Sequence, residues 1–213
     1  MRFRNRLEAG ELLAGKLAHY ARQPDLVVLA LPRGGVPVAH AVARSLQVPL
    51  DILAVRKLGV PGQAELAMGA IASGGVRVLN RGVVEAFGLD EDVIARVAAR
   101  EELELARRES AYRGDGPPMP VAGRSVILVD DGIATGATVR AALDALRRRG
   151  AGRIVIAAPT IAAETREDLR READEVVAVI APEEFSGVAE WYEDFSQTTD
   201  EEVRALLASG RMA

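Results

Sequence analysis

The chain of 213 residues has no cysteine. That excludes disulfides, thiolate nucleophiles and cysteine-ligated zinc or iron–sulfur centres. Imidazole is nearly absent too: His19 and His40 are its only sources, too few for a multi-histidine metal site. Both fall in helical patterns and are read as structural or solvated. Lysine is scarce, since 25 of the 27 basic residues are arginine and only Lys16 and Lys57 are lysine. No stretch approaches the roughly 18 apolar residues of a membrane span. Met1 to Arg6 lacks the apolar core of a signal peptide. The formal net charge is −4 and no long basic run stands out, so charge does not suggest nucleic-acid binding. A cytoplasmic protein with neither nucleic-acid nor membrane partners is the expectation.

What is present is an alternation. Leu26–Leu31, Leu50–Val55, Val126–Val129, Ile154–Ala158 and Val176–Ile180 are short apolar runs of the kind that form strands buried on both faces. Between and around them, helical spacing marks 5–22, 37–46, 90–112, 137–149, 163–172 and a last short helix near 200–208. Strands alternating with helices imply right-handed βαβ units and a parallel sheet. Residues 56–63 read as a loop, 66–80 as short strands or a hairpin, and Gly114 to Pro120 as a linker. The arginine-rich 96–113 helix is read as a solvated or dimer-facing surface, and a homodimer is expected.

Ligands of such sheets lie beyond the carboxyl ends of the strands. Three unusual loops follow the first three apolar strands: Pro32-Arg33-Gly34-Gly35, Arg56-Lys57, and Asp130 to Thr138. Asp130 and Asp131 are adjacent carboxylates, costly to hold together unless a cation or hydrogen-bond donor meets them. Ala134-Thr135-Gly136-Ala137-Thr138 then enters a helix, where small residues and free amides make an anion pocket. An acid pair beside an anion cradle suits a ligand with a diol at one end and a phosphate at the other, such as a ribose 5-phosphate.

With these residues in place, the stretch Val129-Asp130-Asp131-Gly132-Ile133-Ala134-Thr135-Gly136-Ala137-Thr138 resembles the motif by which type I phosphoribosyltransferases bind 5-phosphoribosyl-1-pyrophosphate (PRPP). The resemblance covers roughly 20–180. It implies a parallel sheet flanked by helices with a small C-terminal hood, in one domain over 1–213. Within that domain a mobile loop at about 58–75 and a hood at about 181–213 are implied. It also implies that Asp130 and Asp131 hold the ribose hydroxyls and that Ala134, Thr135, Gly136, Ala137 and Thr138 hold the 5-phosphate. Arg33, Gly34 and Gly35 would bind pyrophosphate around a non-proline cis peptide between Pro32 and Arg33. Arg56 and Lys57 would open the catalytic loop. The implied cofactor is Mg2+, held mainly through PRPP with help from Asp130 and Asp131. The implied reaction is transfer of the phosphoribosyl group to a small nitrogenous base.

Two features depart from the family's 6-oxopurine enzymes. Those carry an acid where this chain has Ala134, which leaves the acceptor base open. Phe185 is the base-stacking candidate only on a loose match, beside the alternative that it packs within a small hood. A PRPP-binding or regulatory protein without transferase activity, and more weakly a phosphosugar hydrolase or phosphorylase, remain as other readings of the same cradle.

Overall fold

The apolar runs become one parallel sheet because each buries both faces. A computed structural model of the chain describes residues 1–113 and 116–210, and leaves the side chains of Ala64 and Glu65 undescribed. Five strands, β1 (Leu26–Ala30), β2 (Leu50–Ile52), β6 (Ser125–Val129), β7 (Arg153–Thr160) and β8 (Glu175–Ile180), lie in the order β2-β1-β6-β7-β8. All pairings are parallel, with Val28 opposite Leu50 and Ile127, and Val129 opposite Ala157. Successive side chains alternate between faces. Val28, Ala30, Ile127 and Val129 meet α1 (Arg6–Lys16) and α2 (Gly35–Leu46), whereas Val27, Leu29, Val126 and Leu128 meet α5 (Ala137–Arg148). α6 (Ala163–Glu172) precedes β8. The helical pattern at 5–22 resolves into α1, capped by the Asn5 side chain on the Glu8 amide, and a 3-10 turn at Ala18–Tyr20.

The second layer corrects the reading of 56–63 as a loop. Val55–Val60 is a strand, β3, paired antiparallel with the long β4 (Gln63–Ala72), which pairs in turn with β5 (Val76–Leu79). The expected hairpin at 66–80 is β4–β5. Residues 58–75 thus lie mainly in a three-stranded sheet rather than in irregular backbone. α3 (Arg81–Ala86) and α4 (Glu91–Arg113) cover that sheet, around Leu58, Met68, Ile71, Ile94, Ala98 and Leu105. α4, expected at 96–113 to be a solvated or dimer-facing surface, also turns polar side chains inward. Glu101 and Arg113 are buried, Arg113 against Asp51 at 3.1 Å. The expected linker at 114–120 falls in part, at Gly114 and Asp115, outside the described residues.

The C-terminal segment returns across the carboxyl ends of the parallel strands. Tyr192 bridges to Phe3 and packs with Ala9 and Phe3. α7 (Asp200–Gly210) then docks with Val203 and Leu207 in the same core as α2.

Candidate active site

From β1 the chain reaches β2 on one side, and β6 lies on the other. The order therefore reverses between β1 and β6, the position at which open α/β sheets bind ligands. Both loops there come from the sequence pattern. Leu31 N–H donates to the Val129 carbonyl at 2.9 Å, locking the two strand ends together. The Pro32–Arg33 peptide is cis, where the resemblance places it. Gly34 and Gly35 then press on the acid pair. A Cβ on Gly34 would lie 1.9 Å from Asp131 Oδ2, and one on Gly35 2.8 Å from the Val129 carbonyl oxygen. At Gly35 the neighbour is backbone, so glycine is required there by contact, while a side chain at Gly34 would have to push the Asp131 carboxylate aside.

Asp130 and Asp131 are both half-buried at the end of β6. The Asp131 N–H donates to Asp130 Oδ1 at 2.9 Å. Burial pushes the Asp130 carboxyl well above the usual carboxylate range, and the charge of Asp131 adds to it. Asp131 has a cation of its own: Arg6 Nε lies 2.8 Å from Oδ2. The Tyr192 hydroxyl donates to the Asp131 carbonyl at 2.6 Å, and burial pushes that phenol's pKa upward.

The cradle is shaped from outside. Thr165 Oγ1 donates to the Ala134 carbonyl at 2.5 Å and Arg140 Nη1 to the Thr135 carbonyl at 2.8 Å. With those carbonyls tied away, Gly136 at φ +75° turns the chain into α5. The first amides of a helix have no intrahelical acceptor. A pocket of about 200 Å³ opens there, lined by Asp130, Ile133, the 134–138 turn and Val188. The five predicted cradle residues and Asp130 thus share one concavity.

The other predicted residues are placed differently. Arg33 carries its guanidinium 3.6 Å from Asp200, in a separate polar cavity with Arg107, Arg108 and Tyr112. Arg56 donates through Nε to Glu101 at 2.6 Å, packing β3 onto α4. Burial raises the Glu101 carboxyl, but hydrogen bonds and charge from Arg56 and Arg100 outweigh that and hold it below its usual value. Lys57, next on the strand, is exposed and directed to the opposite face. Arg56 borders a cavity of about 490 Å³ against α4, and neither residue lines the cradle. Phe185 lies 6.2 Å, centroid to centroid, from Trp191, and Val188 is the tail residue at the cradle.

Sequence reasoning missed Arg6, Tyr192 and Val188. A signal existed only for Tyr192, as one of the tail's few aromatics. Among the described residues no group of three or more His, Asp or Glu is arranged to hold a metal. The chain builds no metal cage there. Two adjacent carboxylates nevertheless suit a hard cation that arrives with phosphate oxygens of its own.

Comparison with known proteins identifies the family. The family model described as the phosphoribosyl transferase domain matches residues 4–194. A Mycobacterium tuberculosis protein provisionally named a phosphoribosyl transferase is 47% identical over 205 residues, 96% of this chain. The chain spans about half, 46%, of that relative's length. The bifunctional protein PyrR of Brevibacillus brevis is 34% identical over 100 residues, 44% of this chain and 55% of that protein. Among solved structures, TT1426 from Thermus thermophilus superposes with a TM-score of 0.87 at 44% identity, over 99% of each chain.

Proposed function

This chain belongs to the phosphoribosyl transferase domain family, and on that premise we propose that it transfers the 5-phosphoribosyl group of PRPP to a nitrogenous base with release of pyrophosphate. The observation that carries the reading is the single concavity joining Asp130 to the 134–138 turn. It offers a carboxylate for a diol beside helix-start amides for a phosphate.

In this reading a ring nitrogen of the base attacks the anomeric carbon with inversion, and the bond from that carbon to the pyrophosphate oxygen breaks. Thr135, Thr138 and the cradle amides hold the 5-phosphate. Asp130 and Asp131 orient the ribose, and backbone groups of Arg33, Gly34 and Gly35 face the departing pyrophosphate. Mg2+, where bound, neutralises charge on the diphosphate; Asp130, with Asp131, is the protein group that would meet it. Lys57, with Arg56, acts on the leaving group if the β3–β4 ribbon closes over the site. The expected setting is cytoplasmic and the expected assembly a homodimer.

A second reading is PRPP binding without transfer, since the same concavity would hold the ribose phosphate with or without an acceptor base. Calorimetry with PRPP and Mg2+, followed by a screen of free bases for pyrophosphate release, decides. Binding with release supports transfer. Binding without release from any base supports the second reading, and no binding removes both.

A further inference from the structure

Arg33 stands beside the glycines that press on the acid pair, yet its side chain leaves the cradle. It lines a polar cavity of about 240 Å³ with Arg107, Arg108, Ala111 and Tyr112 of α4 and Asp200 of α7. No residue of this cavity lines the cradle pocket. One carboxylate holds the two α4 arginines side by side. Glu104 accepts from Arg107 Nε at 2.8 Å and Nη2 at 3.0 Å, and from Arg108 Nε at 2.9 Å. Their remaining N–H groups have no protein acceptor among the described residues. Buried Tyr112 donates its hydroxyl to Asp200 Oδ1 at 3.0 Å and fixes that carboxylate. Arg33 Nη1 lies 3.6 Å from the same oxygen, too far for a hydrogen bond. By contrast, Arg56 is hydrogen-bonded to Glu101, and Arg113 to Asp51 and the Ile52 carbonyl.

We propose that this cavity is a second anion site, separate from the cradle, which takes a diphosphate group on Arg33, Arg107 and Arg108. Three guanidiniums meet two carboxylates, Glu104 and Asp200, so the cluster keeps a net positive charge. Guanidiniums bind phosphate oxygens through paired N–H groups, and here they converge from two elements, which suits an anion with more than one phosphate. Asp200 is the only carboxylate among the lining residues, and Tyr112 already engages it. Free pyrophosphate and a nucleoside diphosphate share this chemistry. Arg33 also ties the cavity to the loop of Gly34 and Gly35. On the reading of the first site as a PRPP site, a diphosphate here adds negative charge beside a polyanionic ligand. Each ligand then weakens the other by the same factor.

The test is calorimetry on the whole chain with inorganic pyrophosphate and with ADP, withholding the Mg2+ that the first site is read to need. Arg107→Ala with Arg108→Ala should weaken binding about tenfold or more. Arg170→Ala with Arg171→Ala removes the same charge from exposed positions of α6 and should leave binding within about twofold. Equal losses in the two double variants mean diffuse attraction, and wild-type affinity in both puts the anion elsewhere. Either result overturns the proposal, as does a wild type that binds neither probe. With the loss at α4, ADP binding supports the site with a nucleotide as its source, and pyrophosphate binding alone supports it with the free anion. The coupling is read with Mg2+ and PRPP. Saturating ADP should weaken PRPP binding about threefold in wild type and leave it unchanged in Arg107→Ala with Arg108→Ala. The same weakening in both is competition at the first site and overturns the coupling. A chain that binds no PRPP removes the PRPP reading and the coupling, while the diphosphate titrations still decide the second site.

Discussion

The parallel sheet and the antiparallel sheet hold their charges in opposite ways. At the carboxyl ends of β1 and β6, an acid with a raised pKa faces a pocket whose loop carbonyls are tied back by Thr165 and Arg140. On β3, the predicted cation Arg56 is spent on Glu101 of the covering helix. In the proposed reading the first region is prepared for a ligand before one arrives, and the second, committed to its own packing, would reach that ligand only by moving. Binding and catalysis are thus expected to separate between the two sheets, and substitutions ranked by their effect on PRPP affinity test that separation.

The largest effect is expected at Gly34. An alanine Cβ there collides with Asp131 Oδ2, and displacing an acid or its neighbouring loop by about 1 Å costs on the order of 100-fold. Gly34→Ala should lose at least that much PRPP affinity by calorimetry. The matching change in the other sheet is Gly62→Ala, at φ +80° with open space around it. It should cost about 1 kcal/mol of stability from backbone conformation alone and leave affinity near wild type. Equal affinity losses at the two glycines would end the contrast.

Asp130→Asn comes next. Losing a charged acceptor for the diol should weaken binding about 10- to 100-fold. The same change should stabilise the ligand-free protein. A carboxyl whose folded pKa lies above its unfolded value of 3.8 favours folding while protonated, and that contribution is lost as pH rises through the folded value. Thermal melts from pH 4 upward should therefore show wild type falling relative to Asp130→Asn, which melts a few degrees higher near neutrality. Wild type melting higher at neutral pH would mean that ligand-free Asp130 is not under the strain its burial implies.

Most of the first sheet was legible in the sequence; of the second, the β4–β5 hairpin was and β3 was not. Leu26–Leu31 and Val126–Val129 announce themselves because strands buried on both faces need continuous apolar side chains. β3 carries Gly59 and puts Arg56 and Lys57 within a strand, so its pattern resembles a loop. What makes it a strand is pairing across the ribbon, such as Lys57 opposite Ala70, which periodicity does not reveal. The site divides the same way. Adjacent acids, glycines and a helix start mark Asp130 to Thr138 locally. Arg6 reaches Asp131 across 125 positions and Tyr192 across 61, with no sequence signal to join them.

Arg56→Ala should affect stability more than affinity. It leaves Glu101, whose side chain is 9% exposed, without its closest cation. Breaking a fully buried pair costs about 3–5 kcal/mol. Because Arg56 is partly open to water and Arg100 remains, about 2 kcal/mol is expected, roughly 4–8 °C in melting temperature. PRPP affinity should stay within about threefold of wild type, a change of under ~0.7 kcal/mol. A tenfold affinity loss with an unchanged melting point would place Arg56 at the ligand instead of in the packing.

Lys57 should show the smallest effect on affinity and, of the residues in β3, the largest on turnover. It follows Arg56 on the strand, so its side chain leaves the face that Arg56 and Glu101 occupy. It is exposed, and a cation that meets pyrophosphate only when the ribbon closes contributes in the transition state and not in the resting complex. In the proposed reading the ribose phosphate end is held by Asp130 and the 134–138 turn whether or not Lys57 is present. Lys57→Ala should therefore leave PRPP affinity within about twofold, a difference of ~0.4 kcal/mol, while kcat falls with the best acceptor base. Because Arg56 and Lys57 face opposite sides, their double change should add a stability loss to a rate loss without amplifying either. A higher KM for PRPP at constant kcat would move Lys57 into the binding machinery of the first sheet. A wild-type rate would leave the antiparallel sheet with no part in the chemistry.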